Sequence, residues 1–92
     1  MKKFDLIFDE WLVIRYYYGD RKALPLLVKR WHKKLLSRIY MMTQDFEASK
    51  DIAQESWQAI IKGIDRLKDP AHFGKWALTI ANRKSIDFLH AN

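Results

Sequence analysis

DIAQESWQAIIKGIDRL, residues 51 to 67, carries its apolar side chains at intervals of three and four. Wound as a helix, it brings Ala53, Trp57, Ile60, Ile64 and Leu67 to one side, the spacing of a buried seam. Asp51, Gln54, Glu55, Gln58 and Lys62 fall on the other. The apolar side needs a core to rest on. The polar side gathers two carboxylates and two amides on a narrow strip, which on these residues alone reads as an ordinary solvated helix face.

Working outward, Gly63 weakens the helix late in its course. Asp69-Pro70 then reads as an N-cap followed by Pro at the first helical position, which starts a further helix over 70–90. Upstream, Asp45 to Ser49 supplies turn and capping residues, so the organising helix is expected over 47–67. Before it, Leu24, Leu27, Val28, Trp31, Leu35, Ile39 and Met42 keep the helical period over 22–43, with Asp20 as the expected N-cap. Pro25 lacks an N–H, so that helix is expected to start close before it or to bend in its first turn. Phe4, Ile7, Phe8, Trp11, Leu12 and Ile14 recur at helical spacing over 4–18, and Gly19 is a natural stop. Four helices with short connections and no strand pattern define an all-α, compact four-helix bundle, and residues 1–92 are read as one domain.

The fourth helix admits two registers. One buries Gly74, Ala77, Leu78, Ala81, Ser85, Phe88 and Leu89 and presents His72, Lys75, Trp76, Thr79 and Arg83 outward, where a Trp among cations suits stacking or phosphate contact. The other buries Phe73, Trp76, Ala77, Ile80 and Ala81, and draws Lys84 and Asp87 into the seam, where they need partners.

Composition bounds the function. With 92 residues, 49% of them apolar and four of them Trp, the chain has enough material for one globular core. It has no cysteine, which excludes a disulfide framework and thiolate metal sites. Asp5, Asp9 and Glu10 interrupt any signal-peptide apolar region, and no apolar run reaches membrane-spanning length, so a cytoplasmic location is expected. The net charge of +6 is unevenly spread. Between residues 21 and 44 stand Arg21, Lys22, Lys29, Arg30, Lys33, Lys34 and Arg38 without any acid; residues 45–69 are acidic on balance; Lys75, Arg83 and Lys84 restore positive charge. A polyanion is one partner this suits, although the basic helix also reads as a solvated face. His32, His72 and His90 lack metal-ligand spacing, Asp87 reads as a helix-packing partner of Lys84, and no nucleophile-base set or phosphate loop stands out. Neither a metal, a cofactor nor an enzymatic activity is expected.

The run Gly19-Asp20-Arg21-Lys22-Ala23-Leu24, then Leu27, Arg30 and Trp31, then Asp51-Ile52-Ala53-Gln54-Glu55-Ser56-Trp57, then Phe73-Gly74-Lys75-Trp76-Ala77-Leu78-Thr79-Ile80-Ala81 with Ile86-Asp87, resembles region two of the sigma-70 superfamily. The likeness is to its compact extracytoplasmic-function (ECF) type and covers nearly the whole chain. The combination of D-x-x-Q-E on one helix with F-x-x-W-x-x-x-I-A on the next is its most specific part.

That resemblance implies a bacterial transcription initiation factor domain with two faces. The helix bearing D-x-x-Q-E docks in the family on the coiled coil of the largest catalytic subunit of core RNA polymerase, which carries over to Asp51, Gln54, Glu55 and Gln58. Recognition and melting of the promoter minus-ten element, through capture of the non-template strand, carries over to Leu67, Lys68 and Asp69 in the loop and to His72, Phe73, Lys75, Trp76, Thr79 and Arg83 on the fourth helix. Arg83 stands where many members have Asn, and Leu67 where an aromatic is common. The family also has a region four after a linker, which would begin near Asn92, so a domain cut from a longer protein is expected. An anti-sigma factor is a further implied partner, and a membrane is not. The alternative reading is a helical interaction module that docks on polymerase or an anti-sigma factor without reading DNA.

Overall fold

The computed structural model describes residues 3–91. Among them are four α-helices: α1 (Lys3–Tyr17), α2 (Ala23–Thr43), α3 (Phe46–Gly63) and α4 (Phe73–His90). Two single 3-10 turns, Ile64–Arg66 and Pro70–His72, lie between α3 and α4. α2 is central: it packs on both α3 and α4, which also pack on each other, while α1 lies across α2 and the Pro70–His72 turn. The all-α bundle expected from the periodicity is the observed one.

The helix ends follow local chemistry. Gly19 takes φ 91°, a left-handed conformation open to glycine at no steric cost, and closes α1. Asp20 acts in the turn and does not cap α2: its carboxylate accepts from the Lys22 N–H at 3.0 Å and from Arg15 Nε at 2.8 Å, and the helix begins at Ala23. Pro25 falls in that first turn, where a missing N–H removes no helical bond, so no bend is needed. Asp45 caps α3 by accepting from the Ala48 N–H at 3.0 Å.

The second and third helices bury the seams their spacing calls for. Leu27, Trp31, Leu35 and Ile39 of α2 are inside, as are Ala53, Trp57 and Ile60 of α3 and Ile64 just beyond it. The expected helix over 47–67 is shorter: it ends at Gly63, turns once, and leaves Leu67 extended and half-buried.

α1 corrects the sequence reading. Phe4, Ile7, Trp11 and Ile14 are exposed, and the buried side is formed by Asp9, Leu12 and Val13. The reason is polar. Asp9, wholly buried, accepts from Arg30 Nε at 2.8 Å and Trp31 Nε1 at 3.1 Å, and the Arg30 guanidinium sits 4.7 Å over the Phe8 ring. A buried carboxylate is tolerated only with such partners, so the side of α1 that faces inward is the one that carries it.

α4 takes elements of both registers. Phe73, Gly74, Ala77, Ala81 and Ser85 are buried, with Trp76 and Ile80 half-buried on one flank and Leu78 on the other; Leu89 and Asp87 are exposed. Glycine is required at the contact with α2, because a Cβ on Gly74 would stand 2.1 Å from the Trp31 ring. The same Trp31 therefore binds α1 through Asp9 and admits α4 through Gly74.

Candidate nucleic-acid interface and docking face

The outer side of α3 presents Asp51, Gln54, Glu55 and Gln58 to solvent, as the periodicity requires. Among the described residues none of these four side chains has a hydrogen bond or ion pair within the chain, so the strip is free to receive donors from elsewhere. Gln54 also borders a shallow, largely apolar groove of about 510 Å³ between α2 and α3, with Val28, Leu36, Trp57 and Ile61 in its walls. His32 stands at its edge and accepts from the Trp57 indole N–H at 3.0 Å through Nδ1. A polar strip beside an apolar groove is the makeup of a protein-binding surface, the groove supplying burial and the strip supplying register.

The second site is built where α4 leaves the loop. Asp69 caps the Pro70–His72 turn by accepting from the Ala71 N–H at 3.2 Å, and its other oxygen lies 2.7 Å from His72 Nδ1. His72, Lys75 and Thr79 then line one side of a cleft of about 460 Å³. Leu6 of α1, Arg38 of α2, and Leu78 and Asn82 of α4 complete it, with Arg38 Nη1 3.5 Å from Asn82 Oδ1. Arg38 and Leu78 also border an adjoining groove along α2 whose rim carries Lys29, Lys33 and Lys34. Lys29, Lys33, Lys34 and Arg38 of α2 and Lys75 of α4 thus line two adjoining grooves that share Arg38 and Leu78, with apolar patches on their floor. Cations follow phosphates, and apolar or aromatic surface receives unstacked bases.

Not all residues expected at this site come together. Phe73 is wholly buried and is corrected from a contact residue to a core residue; its ring packs against Trp76 with centroids 6.0 Å apart. Trp76 is half-buried, and its ring lies 3.2 Å from the place a Gly63 Cβ would occupy, so it braces the end of α3 as well as offering an edge to solvent. Lys68 and Arg83 are exposed but lie off the cleft, where Asn82 is the polar side chain at that level. Leu78 and Asn82 could have been found from sequence, since they follow Lys75 by three and seven residues and share its helix face. Leu6 and Arg38 come from other helices, and no spacing within α4 points to them. Among the described residues no group of three or more His, Cys, Asp or Glu side chains is placed to hold a metal ion, and no helix is long and apolar enough to cross a membrane.

The class of this helical scaffold is given by sequence comparison. The sigma-70 region 2 family matches residues 27–92, and the chain belongs to that family, in its ECF type. It is 30% identical over 83 residues to the RNA polymerase sigma-H factor of Pseudomonas aeruginosa, and 34% identical over 86 residues to the ECF RNA polymerase sigma-E factor of Haemophilus influenzae. A sigma-E factor of Salmonella typhimurium is 32% identical over 85 residues. Each match covers 90% of this chain and 43% of the relative, so the chain spans less than half the length of these curated proteins. No solved structure matches it at comparable significance.

Proposed function

We propose that this chain is the part of a sigma factor that docks on core RNA polymerase and captures the non-template strand of a promoter minus-ten element. α3 is the docking helix: Asp51, Gln54, Glu55 and Gln58 accept charge-assisted hydrogen bonds from basic side chains of the polymerase coiled coil. DNA is engaged by the loop at Leu67, Lys68 and Asp69, by His72 of the Pro70–His72 turn and by Lys75, Trp76, Thr79 and Arg83 of α4, joined by Arg38 and Asn82. The observation that carries this reading is the cleft between α4, α2 and α1, which opens into the positive groove along α2.

Melting follows as an exchange. Unpairing a base is offset when its face is received on aromatic or apolar surface, worth about 1–3 kcal/mol per base, while Lys and Arg neutralise the flanking phosphates. No bond is made or broken. The test is fluorescence anisotropy of single-stranded oligonucleotides that cover a degenerate minus-ten element, against their complements and duplexes, at two salt concentrations. Strand-selective binding that is lost when Lys75 and Asn82 are replaced by Ala is the expected result; weak binding indifferent to sequence and abolished by salt overturns the reading.

A second reading is supported by the unpaired strip and apolar groove of α3: an interaction module that docks on polymerase or an anti-sigma factor and leaves DNA alone. Under it, Gln54→Ala with Glu55→Ala weakens polymerase capture, while replacing Lys75 and Asn82 by Ala has no effect on binding of any strand.

A further inference from the structure

Three consecutive tyrosines, two closing α1 and one just beyond it, have different surroundings. Tyr16 turns toward the core, Tyr18 is 88% exposed, and Tyr17 is 41% exposed with its hydroxyl directed at the segment after α3. That hydroxyl lies 2.8 Å from the Ile64 carbonyl oxygen and 3.1 Å from that of Leu67, across 47 and 50 residues of chain. One proton serves two acceptors, which lie at the two ends of the Ile64–Arg66 turn. The Leu67 N–H closes the same turn on the Ile64 oxygen at 3.1 Å. Beyond it Leu67 is extended, with φ −68° and ψ 113°, and the chain runs through Lys68 to the Asp69 cap.

The connection from α3 to α4 is therefore pinned at three places. Trp76 packs over Gly63 at its start, and Asp69 caps the Pro70–His72 turn at its end. The middle pin, Tyr17, comes from a different helix. Burial, and then the nearby Asp65 carboxylate, push the Tyr17 phenol above its ordinary range, so it remains a proton donor throughout neutral conditions.

We infer that Tyr17 is a positioning residue for strand capture: by bonding Ile64 and Leu67 it presets the path of Leu67, Lys68 and Asp69 before DNA arrives. This rests on the promoter-reading function proposed above. The physical basis is preorganisation. A loop already ordered in the free protein does not have to lose its conformational freedom on binding, and that saving appears as affinity for the ligand the loop fits. Phosphate attraction along α2 and α4 does not depend on it.

Tyr17→Phe keeps the ring and removes only the hydroxyl. In the anisotropy assay, affinity for the matched non-template strand is expected to fall about fivefold, the equivalent of one ordinary hydrogen bond. Affinity for a scrambled strand and the slope of affinity against salt stay unchanged, because the phosphate contacts remain. Hydrogen exchange at the Leu67 amide accelerates in the same variant, and Tyr18→Phe changes none of these quantities. If Tyr17→Phe accelerates exchange but binds matched and scrambled strands as the unsubstituted chain does, the positioning role is wrong while the promoter reading stands. If exchange at Leu67 is unaltered, the pin itself is wrong. If the unsubstituted chain does not distinguish the strands, the promoter reading falls and takes this inference with it.

Discussion

α3 and α1 both look amphipathic in sequence, and only one of them is. α3 has a single apolar side, a local cap in Asp45 and a polar side exposed as its period demands. α1 has apolar residues all round: Leu12 and Val13 are buried, while Phe4, Ile7, Trp11 and Ile14, which show the more regular recurrence, face solvent. The difference teaches that periodicity places a helix only when one side is plainly polar. Where both sides are apolar, the choice passes to a residue that must find particular partners, here Asp9 with Arg30 and Trp31.

That account is broken most directly by Asp9→Ala. Arg30 and the Trp31 indole lose their buried acceptor, and removal of one partner from such a pair is expected to destabilise by about 3–5 kcal/mol in chemical denaturation. A loss under about 1 kcal/mol would mean that packing of Leu12 and Val13, not the carboxylate, orients α1.

The capping contrast comes next. Asp45→Ala removes the side-chain acceptor of the Ala48 N–H and is expected to cost about 1 kcal/mol, also by denaturation. The inward side of α1 is set instead by contacts across the bundle, those of Asp9 with Arg30 and Trp31.

On the outer faces the two helices should behave alike in stability and differ in function. Ile7→Ser on α1, and Gln54→Ala with Glu55→Ala on α3, should each stay within about 0.5 kcal/mol of the unsubstituted chain. Only the α3 pair should weaken capture by immobilised core polymerase, by about 1–3 kcal/mol. Indifference of that capture to Gln54 and Glu55 would remove the docking role from α3.

The smallest effect concerns the turn that joins α1 to α2. The Arg15 hydrogen bond, then the Lys22 N–H, hold the Asp20 carboxyl below its ordinary range. Folding therefore gains from its ionised form above the usual carboxylate value, and the gain is lost as pH falls through the lower, folded value. Asp20→Asn should flatten this acid limb in melting temperature followed against pH: the variant melts slightly lower than the unsubstituted chain at neutrality and converges with it in acid.

Much of the molecule was legible without coordinates. The helix count, the seams of α2 and α3, the stop at Gly19 and the exposed strip at Asp51, Gln54, Glu55 and Gln58 follow from spacing and from a few residues with restricted backbone chemistry. Asp69-Pro70 is a cap with Pro in the first turn, as those two residues imply, although that turn is 3-10 and α4 proper starts at Phe73. α3 ends four residues before its apolar period does, because Ile64 and Leu67 keep that period beyond the helix. Nothing local shows that Tyr17 claims the Ile64 and Leu67 carbonyls or that Trp76 fills the space over Gly63.

By itself, then, the sequence determined what each helix is made of: where apolar surface recurs, which residues start and stop the turns, and where charge accumulates. All of these are properties of neighbours along the chain. The tertiary structure decided which residues from different helices meet. It chose the inward side of α1 through the needs of Asp9, buried Phe73, fitted Gly74 against Trp31, and brought Leu6, Arg38 and Asn82 around one cleft. Those outcomes depend on excluded volume and on satisfying buried polar groups across the whole bundle, and no window of consecutive residues contains that information.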